Sequence, residues 1–203
     1  MSKKVLMTGF DPFGDEKVNP ALEAVDALNE KQVDGVTLKS LHVPTVFSES
    51  IKTVTRAIQS WDPDVIICVG QAGGRSRITV ERVAINIDDA RIPDNESQQP
   101  VDVPIIAGGQ VAYWSTLPIK TIVQEIKAAG IPAAVSNTAG TFVCNHLFYG
   151  VAHFLATEAP NKIGGFIHVP FIPKQVLDKP QPSMALQDII RGLEIAAVTA
   201  ARV

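Results

Sequence analysis

Apolar residues along the chain follow two patterns that alternate. Short apolar runs that end in glycine or turn residues are typical of strands buried in a parallel sheet. Longer segments with apolar residues every three or four positions are typical of amphipathic helices. The predicted strands are 3–10, 36–44, 62–70, 76–86, 131–140 and 162–171. The predicted helices are 20–30, 45–61, 115–130, 144–159 and 182–203. This alternation predicts a single α/β domain, residues 1–203, built as an open α/β/α sandwich with a largely parallel sheet.

Turn and cap signals add detail to these elements. Asn19 before Pro20 is typical of a helix cap followed by proline at the first helical position. The alternating segment that contains Glu81 predicts a strand with a bend near that residue. Segment 101–118 predicts a hairpin that turns at its two adjacent glycines. The polar stretch 94–99 is expected to be exposed.

Composition and charge exclude several classes of protein. The chain has 203 residues, of which 46% are hydrophobic, so it can bury a sizeable core. Its 18 basic and 21 acidic residues give a formal net charge of −3 without a long basic run. A nucleic-acid surface and a polybasic membrane patch are therefore not expected. No apolar run has the length of a signal peptide or a membrane span, so we expect a cytoplasmic protein.

The cysteines and histidines argue against a disulfide framework and a metal site. Two cysteines, Cys68 and Cys144, do not make such a framework and are expected to be reduced. The four histidines form no HExxH motif, and the chain has no CxxC pair. A zinc site built from side chains close in sequence is therefore not expected.

Cys144 is the main candidate for chemistry, and two interpretations of it stay open. It shares a helical face with Leu147, Phe148 and Val151, and free cysteines are commonly buried, which favours a core residue. The small residues before it place it at the start of a predicted helix. Unpaired N–H groups and the helix dipole favour a thiolate there, and the same N–H groups can hold an oxyanion.

A cysteine nucleophile needs a base and commonly a third group that orients the base. His168 ends a predicted strand, where ligands of open α/β sheets bind. Glu81 lies between apolar residues, and a buried carboxylate needs a partner such as an imidazole. Spacing along the chain does not establish that these residues meet. In the same layer, Gln71 and Asn19 are uncharged hydrogen-bonding groups that suit a neutral polar ligand.

Four stretches of the chain together match the motifs of one family. They are MTGFDPFG followed by NP, GQAGGRSRITVERVAIN, VSNTAGTFVCNHLFYG and GGFIHVPF. In these stretches the chain resembles the pyroglutamyl peptidase I family of cysteine peptidases, and the resemblance extends over nearly its whole length. It implies a twisted, mixed sheet within the sandwich and removal of an N-terminal pyroglutamyl residue from peptides without metal or cofactor. It also implies a cytoplasmic homotetramer.

The resemblance also implies roles for individual residues. Cys144 is expected to be the nucleophile, His168 the general base and acid, and Glu81 the residue that orients the imidazole. A larger set is expected to bind the substrate, with apolar walls for the lactam ring, amide groups for its polar atoms and an arginine near the oxyanion. These residues are Phe10, Phe13, Asn19, Gln71, Arg91, Ile92, Phe142 and Val143.

Two other functions compete with this one. A different thiol amidohydrolase would keep the cysteine but show no dependence on a pyroglutamyl group. A non-catalytic ligand-binding protein would bury Cys144 in its core as an ordinary thiol.

Overall fold

A seven-stranded mixed sheet forms the centre of the protein in a computed structural model, which describes residues 2–14 and 16–203. The strands of this sheet are β1 (Lys3–Phe10), β2 (Gln32–Val33), β3 (Val36–Val43), β4 (Val65–Gln71), β5 (Ile78–Glu81), β8 (Ala133–Ser136) and β9 (Ile163–Val169). Their spatial order is β2-β3-β1-β4-β9-β5-β8. Strands β1, β3, β4 and β9 are mutually parallel, whereas β5 pairs antiparallel with β9 and parallel with β8.

Five helices cover the two faces of the sheet. They are α1 (Pro20–Asp26), α2 (Glu49–Trp61), α3 (Ile119–Ala128), α4 (Val143–Glu158) and α5 (Leu186–Ala201), with a short 3-10 helix at Pro173–Gln175. Alternate residues of β1 and β4 enter two separate cores, because side chains alternate across a strand. Val5 and Ile67 pack with α1, α3 and α5, whereas Leu6 and Ile66 pack with α2 and α4. The predicted α/β/α sandwich with a largely parallel sheet is confirmed.

The predicted bend near Glu81 separates two strands that belong to different sheets. Strand β5 ends at Glu81, and β6 (Val83–Ile85) pairs antiparallel with β7 (Ala112–Trp114) in a small second sheet. The hairpin predicted for 101–118 is therefore wrong, because β7 finds its partner in β6. Both backbone groups of Ile106 bond to the side chain of Asn86 instead of to a facing strand.

The sequence also predicted the environments of Asn19 and of the polar stretch 94–99. The cap at Asn19 is confirmed, since its Oδ1 accepts a hydrogen bond from the N–H of Ala21 at the start of α1. The expectation that 94–99 is exposed is wrong for Asp94, which is buried. Its carboxylate accepts hydrogen bonds from the backbone N–H groups of Phe47, Glu96 and Gln98, and these offset the cost of burying its charge. No helix of the described ranges is long and apolar enough to cross a membrane.

Candidate active site

A cleft of about 810 Å³ lies at the carboxyl ends of the parallel strands β4 and β9. Open α/β sheets place their ligands at this edge, because the strand ends and the loops that follow them leave a crevice there. Cys144 and His168 both line this cleft. The structure therefore places Cys144, on α4, and His168, on β9, at the same cleft.

Cys144 is the second residue of α4, directly after a loop of small residues. Gly140 in this loop has φ of +79°, a conformation that favours glycine because it has no Cβ. No side chain caps the start of α4 within the described structure, and the first N–H groups of a helix have no acceptor within the helix. Cys144 therefore lies half-buried at the cleft, beside N–H groups that can bind an oxyanion.

The first turn of α4 is held by the two residues that follow Cys144. Asn145 is fully buried, and its amide accepts from the N–H of Ile85 and donates to the carbonyl of that same residue. His146 is paired with the Asp88 carboxylate through Nδ1 at 2.7 Å, and its Nε2 accepts from the N–H of Ser48 at 2.8 Å. These contacts fix the helix start to two other segments, at 85–88 and at Ser48, so buried hydrogen bonds set the position of the thiol.

His168 and Glu81 form a hydrogen-bonded pair inside the sheet. The Nδ1 atom of His168 lies 2.8 Å from Oε1 of Glu81, whose side chain is 0% exposed. The antiparallel register places Thr79 opposite His168, so Glu81 is the diagonal neighbour of His168 on the same face. A carboxylate only accepts, so Nδ1 carries the proton and Nε2 is left as the basic nitrogen.

Arg75 adds a positive charge that the sequence patterns did not single out. Its Nη1 donates to the same Oε1 of Glu81 at 2.6 Å and also contacts the hydroxyl of Thr79. Its Nη2 donates to the carbonyl of Thr138 in the loop before Cys144, at 3.2 Å. In the sequence, the contact is indicated only by an arginine six residues before an acid. Many arginines that stay exposed have the same spacing, so the pattern does not predict the contact.

Burial and neighbouring groups together set the pKa values of Cys144, His168 and Glu81. Burial, and then the charge of Glu81, raise the pKa of Cys144 to about 12, although Arg75 opposes the change. Burial lowers the pKa of His168, although its hydrogen bond to Glu81 opposes this. Burial alone would raise the pKa of Glu81, but His168, with smaller contributions from Ser136 and Arg75, leaves it below its usual value.

Burial therefore favours a neutral thiol and a neutral imidazole, beside the carboxylate of Glu81 and the guanidinium of Arg75. At the Cys144 thiol this effect opposes the N–H groups and the dipole of the helix start, which favour a thiolate. A proton must pass from sulfur to imidazole when the thiol attacks, and His168 has a free basic nitrogen for it.

The residues predicted to bind substrate fall into two groups. Those that line the cleft are Phe13, Gln71, Arg91, Ile92 and Phe142. The remaining three, Phe10, Asn19 and Val143, are buried and are not among the residues that line the cleft. Phe10 packs in the core against Phe166, Asn19 caps α1, and Val143 packs in the core that α4 shares with α2. Their roles in substrate binding stay a prediction.

The apolar part of the cleft is an arrangement of phenylalanine rings. The rings of Phe13 and Phe142 lie 5.9 Å apart between centroids, and Phe47 meets Phe142 edge-on at 5.5 Å. Such rings offer apolar faces to a small flat ligand. Among the described residues, no group of three or more His, Cys, Asp or Glu side chains is arranged to hold a metal ion.

Comparison with known proteins gives one consistent family. The family model described as pyroglutamyl peptidase matches residues 3–203. The pyrrolidone-carboxylate peptidase of Bacillus licheniformis is 59% identical over 201 residues, which cover 99% of this chain and 94% of that protein. The corresponding protein of Brevibacillus brevis is 54% identical over 198 residues, covering 97% and 92% of the two chains.

Solved structures agree with the sequence comparisons. The crystal structure of pyroglutamyl peptidase I from Bacillus amyloliquefaciens has a TM-score of 0.98 and 59% identity, covering 99% of this chain and 96% of that one. A mutant pyrrolidone carboxyl peptidase from Pyrococcus furiosus has a TM-score of 0.95 and 40% identity, with 98% of each chain covered. With a family model that spans almost the whole chain and relatives this similar, the chain belongs to the pyroglutamyl peptidase family.

Proposed function

We propose that this chain is a pyroglutamyl peptidase I, a cysteine peptidase that removes an N-terminal pyroglutamyl residue from peptides. Cys144 is the nucleophile, His168 the general base and acid, and Glu81 the group that orients the imidazole. The observation that carries the proposal is the opening of Cys144 and His168 onto one cleft, with the His168 imidazole held from behind by Glu81. The names of the relatives, which are pyrrolidone-carboxylate peptidases, support the same activity.

The reaction proceeds in two stages that share one proton carrier. In the first, Sγ of Cys144 attacks the carbonyl carbon of the pyroglutamyl residue while Nε2 of His168 takes the thiol proton. The N–H groups at the start of α4 stabilise the oxyanion. The C–N bond then breaks, the imidazolium gives its proton to the leaving amine, and a thioester remains. In the second stage His168 takes a proton from water, which attacks the thioester. The C–S bond then breaks, pyroglutamate is released, and the imidazolium returns its proton to Sγ of Cys144.

The cleft suits the pyroglutamyl ring, which is small, flat and uncharged. Phe13 and Phe142 provide apolar walls, and Gln71 provides an amide for the polar edge of the lactam. An ordinary amino terminus carries an ammonium group, whose desolvation between the apolar faces of Phe13 and Phe142 is costly. Substrates with a blocked, neutral lactam are therefore preferred over peptides with a free amino terminus.

Activity on a fluorogenic pyroglutamyl amide tests the proposal. We expect the wild type to cleave it, and Cys144→Ser to lose at least about 100-fold in kcat/KM because the nucleophile is changed. Cys68→Ser is the matched control, since Cys68 is the other free thiol and is fully buried in the core. Folded, reduced wild type that leaves the pyroglutamyl amide intact, or that cleaves a prolyl amide equally well, would refute the proposal.

We further propose that the chain is one catalytic domain that works in the cytoplasm as a homotetramer. A reducing compartment supports the free thiol that the mechanism needs. Exposed apolar side chains beside the β6–β7 sheet, Val111 and Trp114 among them, support association with other copies. Light scattering is expected to give about four times the 21.8 kDa chain mass, and cell fractionation tests the compartment.

A further inference from the structure

Gln175 is buried next to Gln71 but takes no part in the reaction as described above. It lies in the 3-10 helix Pro173–Gln175 that follows β9, whereas Gln71 ends β4 and lines the cleft. Nε2 of Gln175 lies 2.8 Å from Oε1 of Gln71. The two amides come from distant parts of the chain and meet directly behind the pocket wall.

The orientation of the Gln175 amide is fixed by one group that can only donate a hydrogen bond and one that can only accept. Its Oε1 accepts from the backbone N–H of Ile172 at 3.0 Å, and a backbone N–H can only donate. Its Nε2 lies 2.9 Å from Oε2 of Glu16. Burial opposes ionisation of Glu16, but its contacts with Lys179 and Gln175 leave its pKa below the usual value. Glu16 is therefore an ionised acceptor, and Nε2 of Gln175 must be the donor.

This fixed donor in turn determines which atom Gln71 presents to the cleft. The Gln71 atom that faces Gln175 must be an acceptor, so it is Oε1, and the NH₂ group of Gln71 is left for the ligand. Among the described residues, the side chain of Gln71 makes its hydrogen bond through Oε1 and none through Nε2. A free Gln71 amide could turn either end toward the cleft, whereas the contact with Gln175 selects the donor end.

We propose that Gln175 is a specificity-determining positioning residue that orients Gln71 to donate a hydrogen bond to the lactam carbonyl of the substrate. This inference rests on the proposed function, and it identifies the lactam carbonyl as the group of the substrate that Gln71 recognises. A directional relay runs from the N–H of Ile172 through Gln175 and Gln71 to that carbonyl oxygen. A five-membered ring without the carbonyl leaves the NH₂ group of Gln71 unpaired, and the pocket discriminates against it.

Kinetics of Gln175→Met and Gln71→Ala, singly and together, test the relay. The lactam carbonyl does not react, so losing its orientation weakens substrate and transition state alike and raises KM with little change in kcat. For one hydrogen bond we expect a rise in KM of about 3- to 10-fold for Gln175→Met. In the Gln71→Ala background the same substitution should add almost nothing, because the relay has lost its last member. Gln181→Met, which changes an exposed glutamine in the following loop, is the control and should leave KM unchanged.

Calorimetric binding of 2-pyrrolidone provides a readout that does not need turnover. Gln175→Met should weaken this lactam by a similar factor, because methionine has no N–H group to hold Oε1 of Gln71. Wild type that cleaves pyroglutamyl substrates, with additive effects of the two substitutions or unchanged lactam binding in Gln175→Met, overturns the relay. Wild type without such cleavage overturns the proposed function instead.

Discussion

Replacing Arg75 by glutamine tests the electrostatic description of the site. Nη1 of Arg75 and Nδ1 of His168 contact the same carboxylate oxygen at 2.6 and 2.8 Å. They therefore lie within about 5.4 Å of each other, where two unit charges repel by about 0.8–3 kcal/mol for dielectric constants from 80 to 20. The side chain of Arg75 is 27% exposed, which places the effect between these limits. This repulsion disfavours the imidazolium and is removed in Arg75→Gln.

The expected result is a shift of the acid limb of activity to higher pH. Cys144 and His168 are active while one titrating proton is distributed between the thiol and Nε2 of the imidazole. Activity is lost at low pH, when both Sγ and Nε2 carry a proton. In the wild type burial lowers the pKa of His168, so the acid limb lies at lower pH than it would for an exposed imidazole. Removing the charge of Arg75 raises the pKa of His168, and activity is lost earlier as the pH falls. The loss of the contact to buried Glu81 also destabilises the fold by about 1.5–3 kcal/mol.

The assay is kcat/KM for a pyroglutamyl amide as a function of pH, with thermal unfolding measured in parallel. Arg75→Lys keeps the charge and should retain the acid limb of the wild type. Arg77→Gln removes an equal charge from an exposed position of the same loop and should leave the profile unchanged. The reasoning is refuted if folded Arg75→Gln keeps the wild-type acid limb, or if Arg77→Gln shifts it equally.

Two further substitutions test the packing around the nucleophile. In Gly70→Ala the new Cβ would lie 3.0 Å from Sγ of Cys144 and 2.9 Å from the nearest aromatic ring, so kcat/KM measured well below the unfolding temperature should fall. Full activity of that variant would contradict the tight position of the thiol. His146→Leu leaves the Asp88 carboxylate buried without its partner and should destabilise the protein by about 3–5 kcal/mol in denaturant unfolding. His42→Leu, which breaks an exposed histidine–aspartate pair, should cost less than about 1 kcal/mol, and equal losses in the two variants would contradict the argument.

The sequence predicted the layers of the fold because buried strands and amphipathic helices have local signatures. The apolar runs of β1, β4 and β9 and the helical stripes were sufficient for the sandwich. The failed hairpin shows the limit of such patterns. The segment before β7 has turn glycines, yet a side-chain amide satisfies its backbone and β7 pairs with a strand 27 residues earlier. Strand pairing depends on contacts between distant segments, and local periodicity does not predict such contacts.

The candidate site was predictable to a different degree for each residue. Cys144 has a local signal, since small residues precede it and an apolar helix follows. The pairing of Glu81 with His168 joins residues 87 positions apart, and its prediction rested mainly on the family resemblance, since a buried carboxylate indicates only that some partner is needed. Arg75 and Gln175 were missed because each acts through another side chain. Their roles depend on which donor lies next to which acceptor in the folded protein. Residue type and spacing along the chain do not predict this.

The direction of β5 explains why one carboxylate can be both buried and close to the histidine. Because β5 runs antiparallel to β9, the residues after Thr79 run away from the cleft, and Glu81 lies one step deeper than His168. Because β5 begins at the cleft edge, the loop before it also lies there. Arg75 in this loop therefore reaches Glu81 from the solvent side. A parallel β5 would place its last residue at the open edge, where water would screen the carboxylate. The reversed strand therefore gives the imidazole a desolvated partner together with the cation that balances its charge.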